Sequence, residues 1–124
     1  MDASSAILIV DASDFMRDYM HKSLKNKGYD HILEAVDGKD ALDALMEHKV
    51  DLILSELNMP KVNGLELLRA ISNHSALKHI PFVVLVSDLS DETYKEAMKI
   101  GAADYIKKPF TPAEIDNKIK SIMK

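Results

Sequence analysis

Ile7-Leu8-Ile9-Val10-Asp11 is a run of four large aliphatic residues closed by a carboxylate. A continuous apolar run of this kind suits a strand buried on both faces, as in a parallel sheet. A strand with one wet face would alternate. Moving outward, similar runs recur at Leu52-Ile53-Leu54, Phe82-Val83-Val84-Leu85-Val86 and, more weakly, Tyr105-Ile106, with a less pure one at Ile32-Leu33-Glu34-Ala35-Val36. Helical spacing fills the intervals. Met16, Tyr19, Met20 and Leu24 form one stripe, which Gly28 is placed to end. Ala41, Leu42 and Leu45 form a second, with Asp37 as a candidate cap, and Gly64, Leu67, Leu68 and Ile71 form a third. Tyr94, Ala97 and Met98 form a fourth, ended by Gly101, and Ile115, Ile119 and Ile122 a fifth. Thr111, Pro112 and Glu114 give that last helix a capping box with proline in its first turn. Strand then helix, five times over, predicts a parallel α/β sheet with helices on both faces and right-handed crossovers.

The length, 124 residues, fits one domain spanning residues 1–124. No repeat, linker or low-complexity tract divides it. Apolar residues make up 47% and charged residues 29%, enough for both a core and a wet surface. No apolar run approaches the roughly 20 residues needed to span a bilayer. Met1 to Ala6 is short and polar, unlike a secretory signal. With no cysteine there is no disulfide, thiol nucleophile or cysteine zinc site, in keeping with a cytoplasmic location. A net charge of −4 argues against nucleic-acid binding, and Lys107, Lys108, Lys118, Lys120 and Lys124 read as a solvated face. The seven methionines mostly fall on the helical stripes and read as core filler.

In open α/β sheets, sites form beyond the carboxyl ends of the strands. Asp11 follows the first run, Ser55 and Glu56 the third, Ser87 and Asp88 the fourth, Lys107 and Lys108 the fifth. The predicted winding brings these groups to one rim. Asp11-Ala12-Ser13-Asp14 is acidic and lacks the glycines of a phosphate loop, so nucleotide and flavin binding lack support. His21, His31, His48, His74 and His79 have no metal-ligand spacing, and no histidine stands beside Ser87 at a strand end for a hydrolase triad. No enzymatic activity is expected.

The chain resembles the receiver domains of response regulators (CheY-like) in two-component signalling, from about Ala6 to the C-terminus. The resemblance rests on Ile7 to Asp11, Asp51 to Pro60 (including Asn58-Met59-Pro60), Asn63-Gly64, Val84 to Ser87, and Gly101 to Phe110 with its Lys108-Pro109-Phe110. It implies a flavodoxin-like doubly wound five-stranded parallel sheet, order 2-1-3-4-5, with five helices. By the same resemblance, an acidic pair after the first strand holds magnesium, and Asp11 matches its first member. Glu56 stands where an aspartate accepts the phosphoryl group, and the Asn58 carbonyl joins the metal shell. Ser87 and Lys108 match the phosphate-contact positions, with a cis bond to Pro109, and Tyr105 matches the aromatic switch.

Two positions depart from that pattern. The second acid of the pair is Ala12, and the acceptor is Glu56. Magnesium needs several oxygen ligands in near-octahedral array, and it neutralises charge on the transferring group. Losing a carboxylate and lengthening another is expected to leave no cofactor, or magnesium held only weakly, and to slow transfer by orders of magnitude. Glu56 has two readings. It imitates a phosphorylated aspartate, or it pairs with Lys108 and holds an inactive state. Such a pair at about 4 Å contributes up to roughly 4 kcal/mol before desolvation. Ser87 and Tyr105 both turned inward would favour imitation. Asp14 and Asp88 are the nearest substitutes for the missing acid, but Asp14 reads as a first-turn acid and Asp88 as a cap of the next helix, and neither is assigned as a ligand.

The leading expectation is a pseudo-receiver, a protein-binding module with impaired or absent phosphorylation. Signalling proteins would dock on the fourth helix, fifth strand and fifth helix, around Tyr94, Lys95, Lys99, Tyr105, Lys107 and Lys118. The alternatives are a phosphoacceptor still served by a histidine kinase, an acceptor-site variant made by substitution, and a homodimerisation domain using the same face.

Overall fold

A computed structural model of the chain describes residues 4–59 and 61–123; Pro60, Lys124 and Met1 to Ala3 lie outside the described residues. The elements alternate as β1 (Ala6–Val10), α1 (Asp14–Asn26), β2 (His31–Ala35), α2 (Gly38–Glu47), β3 (Leu52–Glu56), α3 (Gly64–Ser72), β4 (Phe82–Val86), α4 (Glu92–Ile100), β5 (Asp104–Lys107) and α5 (Pro112–Ile122). All strand pairs are parallel, in the order β2-β1-β3-β4-β5. The expected fold class and strand order are those observed.

The three continuous apolar runs are the three central strands, covered on both faces. Period-two alternation divides their side chains between two layers. Leu8, Val10, Ile53, Phe82 and Val84 face α2, α3 and α4, packing on Ala41, Leu45, Leu67, Leu68, Ile71 and Ala97. Ile7, Ile9, Leu52, Leu54, Val83, Leu85 and Ile106 face α1 and α5, packing on Met20, Leu24, Ile115 and Ile119. β2, on the edge, is correspondingly the less pure run. It ends at Ala35, and Val36, which the apolar run had included, is 46% exposed.

Two of the expected caps, Asp37 and Thr111, are present, and Ser13 and Asp91 cap two further helices. Ser13, Asp37, Asp91 and Thr111 each accept a main-chain N–H at the start of their helix, and Thr111 and Glu114 complete the capping box. Asp88 is not the cap of α4; Asp91 is. A second capping box, Asn63 with Glu66, opens α3. Gly28, at φ +94°, ends α1 in a Schellman turn: its N–H reaches the Lys25 carbonyl, and the Tyr29 N–H reaches that of Leu24.

The buried face of α1 is rotated from the expected stripe. Arg17, Met20, Ser23 and Leu24 are buried, while Met16 and Tyr19 pack at the margin. Tyr19 is half-buried against the Phe110 ring, and its hydroxyl donates to the Phe110 carbonyl at 2.6 Å, just before α5. No helix among the described residues is long and apolar enough to cross a membrane.

At Gly64 a Cβ would lie 2.4 Å from the Glu56 carbonyl oxygen and 2.6 Å from the Leu57 Cα. Both are backbone, so they cannot swing aside. Gly64→Ala should therefore destabilise the fold by about 1–3 kcal/mol. Urea unfolding will show it as a lower midpoint with an unchanged slope.

Candidate functional site

The strand register assembles the site. Val10 pairs with Ser55, so Asp11 and Glu56, one residue further along each strand, are neighbours beyond that pair. Alternation also sets the face: Ile9, Leu54 and Ile106 point towards α1 and α5, and Asp11, Glu56 and Lys108 follow two residues later in the same sense. Lys108 is brought in by its main-chain N–H, which donates to the Val86 carbonyl at 2.8 Å. Its bond to Pro109 is cis.

The Lys108 ammonium donates a hydrogen bond to Glu56 Oε2 and lies 3.7 Å from Asp11 Oδ2. The side chains of Lys108 and Glu56 are each 17% exposed, and that of Asp11 is 5% exposed. The other oxygen of Asp11 accepts the Ser13 N–H at 2.9 Å, which anchors the turn into α1. Asp11 Oδ2 is buried and accepts no hydrogen bond among the described residues. Burial pushes the Asp11 carboxyl above its ordinary value; the Ser13 N–H and Lys108 draw it back, and Glu56 adds to the upward push. Glu56 Oε1 accepts a long bond, 3.4 Å, from the Asn58 N–H. The Glu56 main chain is held from two sides, by the Ser55 hydroxyl at 2.8 Å and by the packing of Gly64 against its carbonyl.

The rim therefore gathers Asp11, Glu56, Asn58 and Lys108. Ala12 is exposed beside them and offers no side-chain oxygen. Ser87, just past β4, is exposed and makes no side-chain hydrogen bond to Glu56 or Lys108. Tyr105 lies on the opposite face of the sheet, half-buried against the α2–α4 layer. The Tyr94 ring meets it edge-on at 5.6 Å, and the Lys118 ammonium sits 5.0 Å from its centroid. Lys118 is itself held 3.4 Å from Asp104. Asp14 is turned outward, paired with Arg17 in the first turn of α1. Asp88 accepts the Ser90 hydroxyl and N–H, which hold its carboxyl below the ordinary value.

Arg17 was absent from the sequence reading. It is a buried guanidinium near the site, paired with Asp14 and 3.8 Å from Glu34, which also meets His21 at 2.8 Å. Its signal was available: an arginine three residues before Met20 and seven before Leu24 sits on a buried helical stripe.

A doubly wound sheet with a polar rim of two acids and a lysine at its carboxyl edge defines a receiver-type, two-component signalling domain. The chain belongs to the response regulator receiver domain family, whose model matches residues 7–120. It is 34% identical over 120 residues to the chemotaxis protein CheY1 of Helicobacter pylori, covering 94% of this chain and 95% of that protein. It is likewise 34% identical over 122 residues to the chemotaxis protein CheY-3 of Vibrio cholerae, covering 98% and 94%. Its backbone superposes on the chemotaxis response regulator CheY4 of Vibrio cholerae with a TM-score of 0.88 at 29% identity, over 96% of this chain and 98% of that one.

Because the folded pKa of Asp11 lies above the unfolded one, the ionised carboxylate opposes folding. Its cost is full above the folded pKa and vanishes below the unfolded value of 3.8. Asp11→Asn should thus stabilise the protein at pH 7, by on the order of 1 kcal/mol. Paired urea titrations will show the advantage shrinking as pH falls through the folded pKa.

Proposed function

We propose that this receiver domain acts as a protein-binding module whose acceptor position, Glu56, is phosphorylated poorly or not at all. The observation that carries this reading is the occupation of Glu56 Oε2 by the Lys108 ammonium. An acceptor carboxylate has to present a free oxygen in line with the incoming phosphorus, and a misplacement of about 1 Å costs rate heavily. Here the oxygen is engaged, and it is carried one methylene further than that of an aspartate.

Magnesium is proposed to bind weakly at most, because the residues present do not fit its shell. Position 12 has no carboxylate, Glu56 is held by Lys108, and Asp11 Oδ2, which accepts no hydrogen bond, also lies 3.7 Å from that ammonium. Among the described residues, no group of three or more His, Asp or Glu side chains is disposed to hold a metal ion. The ion-pair reading of Glu56 is preferred here to imitation of phosphate; it is supported by the exposure of Ser87, which makes no side-chain hydrogen bond to Glu56 or Lys108.

The docking face proposed is that of α4, β5 and α5. Tyr105 is fixed there by Tyr94 and Lys118, so the surface is preformed rather than ordered by a signal. A groove of about 390 Å³ runs between β5 and α5, lined by Tyr105, Lys107, Glu114, Asn117 and Lys118 among others. Lys107 at this groove and Lys95 and Lys99 on α4 are exposed, and their charge suits an acidic segment of a signalling partner.

Treatment with acetyl phosphate and magnesium, read by intact-protein mass, should add no phosphoryl group to the unsubstituted chain. The double variant Ala12→Asp/Glu56→Asp should gain one. A phosphoryl group mapped to Glu56 of the unsubstituted chain would overturn the proposal and favour the phosphoacceptor reading.

A further inference from the structure

We propose that a groove across the amino edge of the sheet, at the pole opposite the rim, binds an alkyl carboxylate, with the chain on its apolar floor and the headgroup on Lys49, His48 and His79. The site stands apart from Glu56 and from the α4–β5–α5 face, so it holds or fails independently of the reading given for either. The groove has a volume of about 590 Å³. It lies where the two core layers meet beyond the start of β3. Leu45, Val50, Leu77 and Ile80 reach it from the α2–α4 layer, and Ile122 from the α1–α5 layer. A concave, mainly apolar site of this size with a few polar groups at its edge suits a small molecule.

The polar edge decides the chemistry of the occupant. His48 and Lys49 follow α2, His79 precedes β4, and all three are exposed along the groove. Among the described residues Lys49 forms no ion pair, and neither imidazole forms a hydrogen bond. The acid of the lining, Asp51, is already engaged: its Oδ2 accepts the Ala6 N–H at 2.8 Å. An imidazole donates a hydrogen bond whether neutral or charged, so the groove offers an anion one ammonium and two further donors. Bases after a helix ordinarily balance its dipole. His48, the C-cap of α2, fits that role, whereas His79 lies well past Asn73, the C-cap of α3. A monocarboxylate with an alkyl tail matches both halves of the groove. A compact polyanion would leave the floor uncovered, and a neutral apolar molecule would make no use of the bases.

The test is titration of sodium octanoate and sodium decanoate, below their micelle concentrations, into the full chain at neutral pH, read by amide and methyl NMR shifts. The controls are 1-octanol and octyltrimethylammonium chloride. Octanoate should bind saturably, with shifts centred on residues 45–51, 76–81 and 122–123. Decanoate should bind at least about threefold more tightly, because its added methylenes leave water. Octanol should bind more weakly than octanoate, although it leaves water more readily, and the octyl cation should not bind. Lys49→Glu and Ala76→Glu each place an acid at an exposed position of the lining. Each should weaken octanoate by about threefold or more and leave octanol unchanged, with circular dichroism checking the fold of both variants. The absence of a saturable shift overturns the proposal, as do shifts scattered over the surface, octanol bound as tightly as octanoate, or an affinity indifferent to both substitutions. Shifts at the same residues that grow with protein concentration, with no carboxylate added, would put a second copy of the chain on the groove and overturn it too.

Discussion

One ammonium among carboxylates from two different strands organises the functional end of this molecule. Lys108 arrives from the loop after β5, Asp11 from the end of β1 and Glu56 from the end of β3, and only a parallel sheet brings three carboxyl ends to one edge. The ions are mostly removed from water, so none of them is tolerable alone. Taking the ammonium out of such a set leaves buried carboxylates uncompensated, which costs more than the intact pair contributes. The upward push on the Asp11 carboxyl is the measure of that tension: burial acts on it more strongly than Lys108 relieves it.

The rest of the fold holds these three groups still. The Ser13 N–H fixes one oxygen of Asp11, the Ser55 hydroxyl and Gly64 fix the main chain of Glu56, and the Val86 carbonyl fixes the main chain of Lys108. None of these contacts comes from a long flexible side chain. A site built on backbone and short polar groups loses little entropy on ordering and holds its geometry closely. The two capping boxes at α3 and α5 extend the same principle to the helices that flank the rim.

Across the sheet, the face of α4, β5 and α5 is set by a different interaction. Tyr105 is clasped by the edge of Tyr94 and by the Lys118 ammonium, which Asp104 holds in turn. Cation–π and edge-on aromatic contacts are each modest, about 0.5–1.5 kcal/mol. Together they give the ring a defined position without any ligand at the rim. Rim and face are linked through β5 itself, which carries Tyr105 on one side and leads to Lys108 on the other.

Sequence by itself determined the elements and their order. Ile7 to Val10, Leu52 to Leu54 and Phe82 to Val86 are apolar without alternation, which only strands covered on both sides tolerate, and Thr111-Pro112-Ala113-Glu114 writes a helix start in local chemistry. It also placed Asp11, Glu56 and Lys108 at strand ends, and the resemblance to receivers supplied their roles. Three things waited for the tertiary structure: which face of α1 is buried, that Arg17 lies near the rim, and that Lys108 reaches both acids while Ser87 is left exposed. These depend on how one element is rotated and positioned against another. A helical period tolerates a shift of one residue in its stripe, and a side chain at a strand end has several rotamers. Local sequence carries no term for either choice. Only the packing of α1 on α5, the register of β1 on β3 and the demand that buried charges be paired select among them.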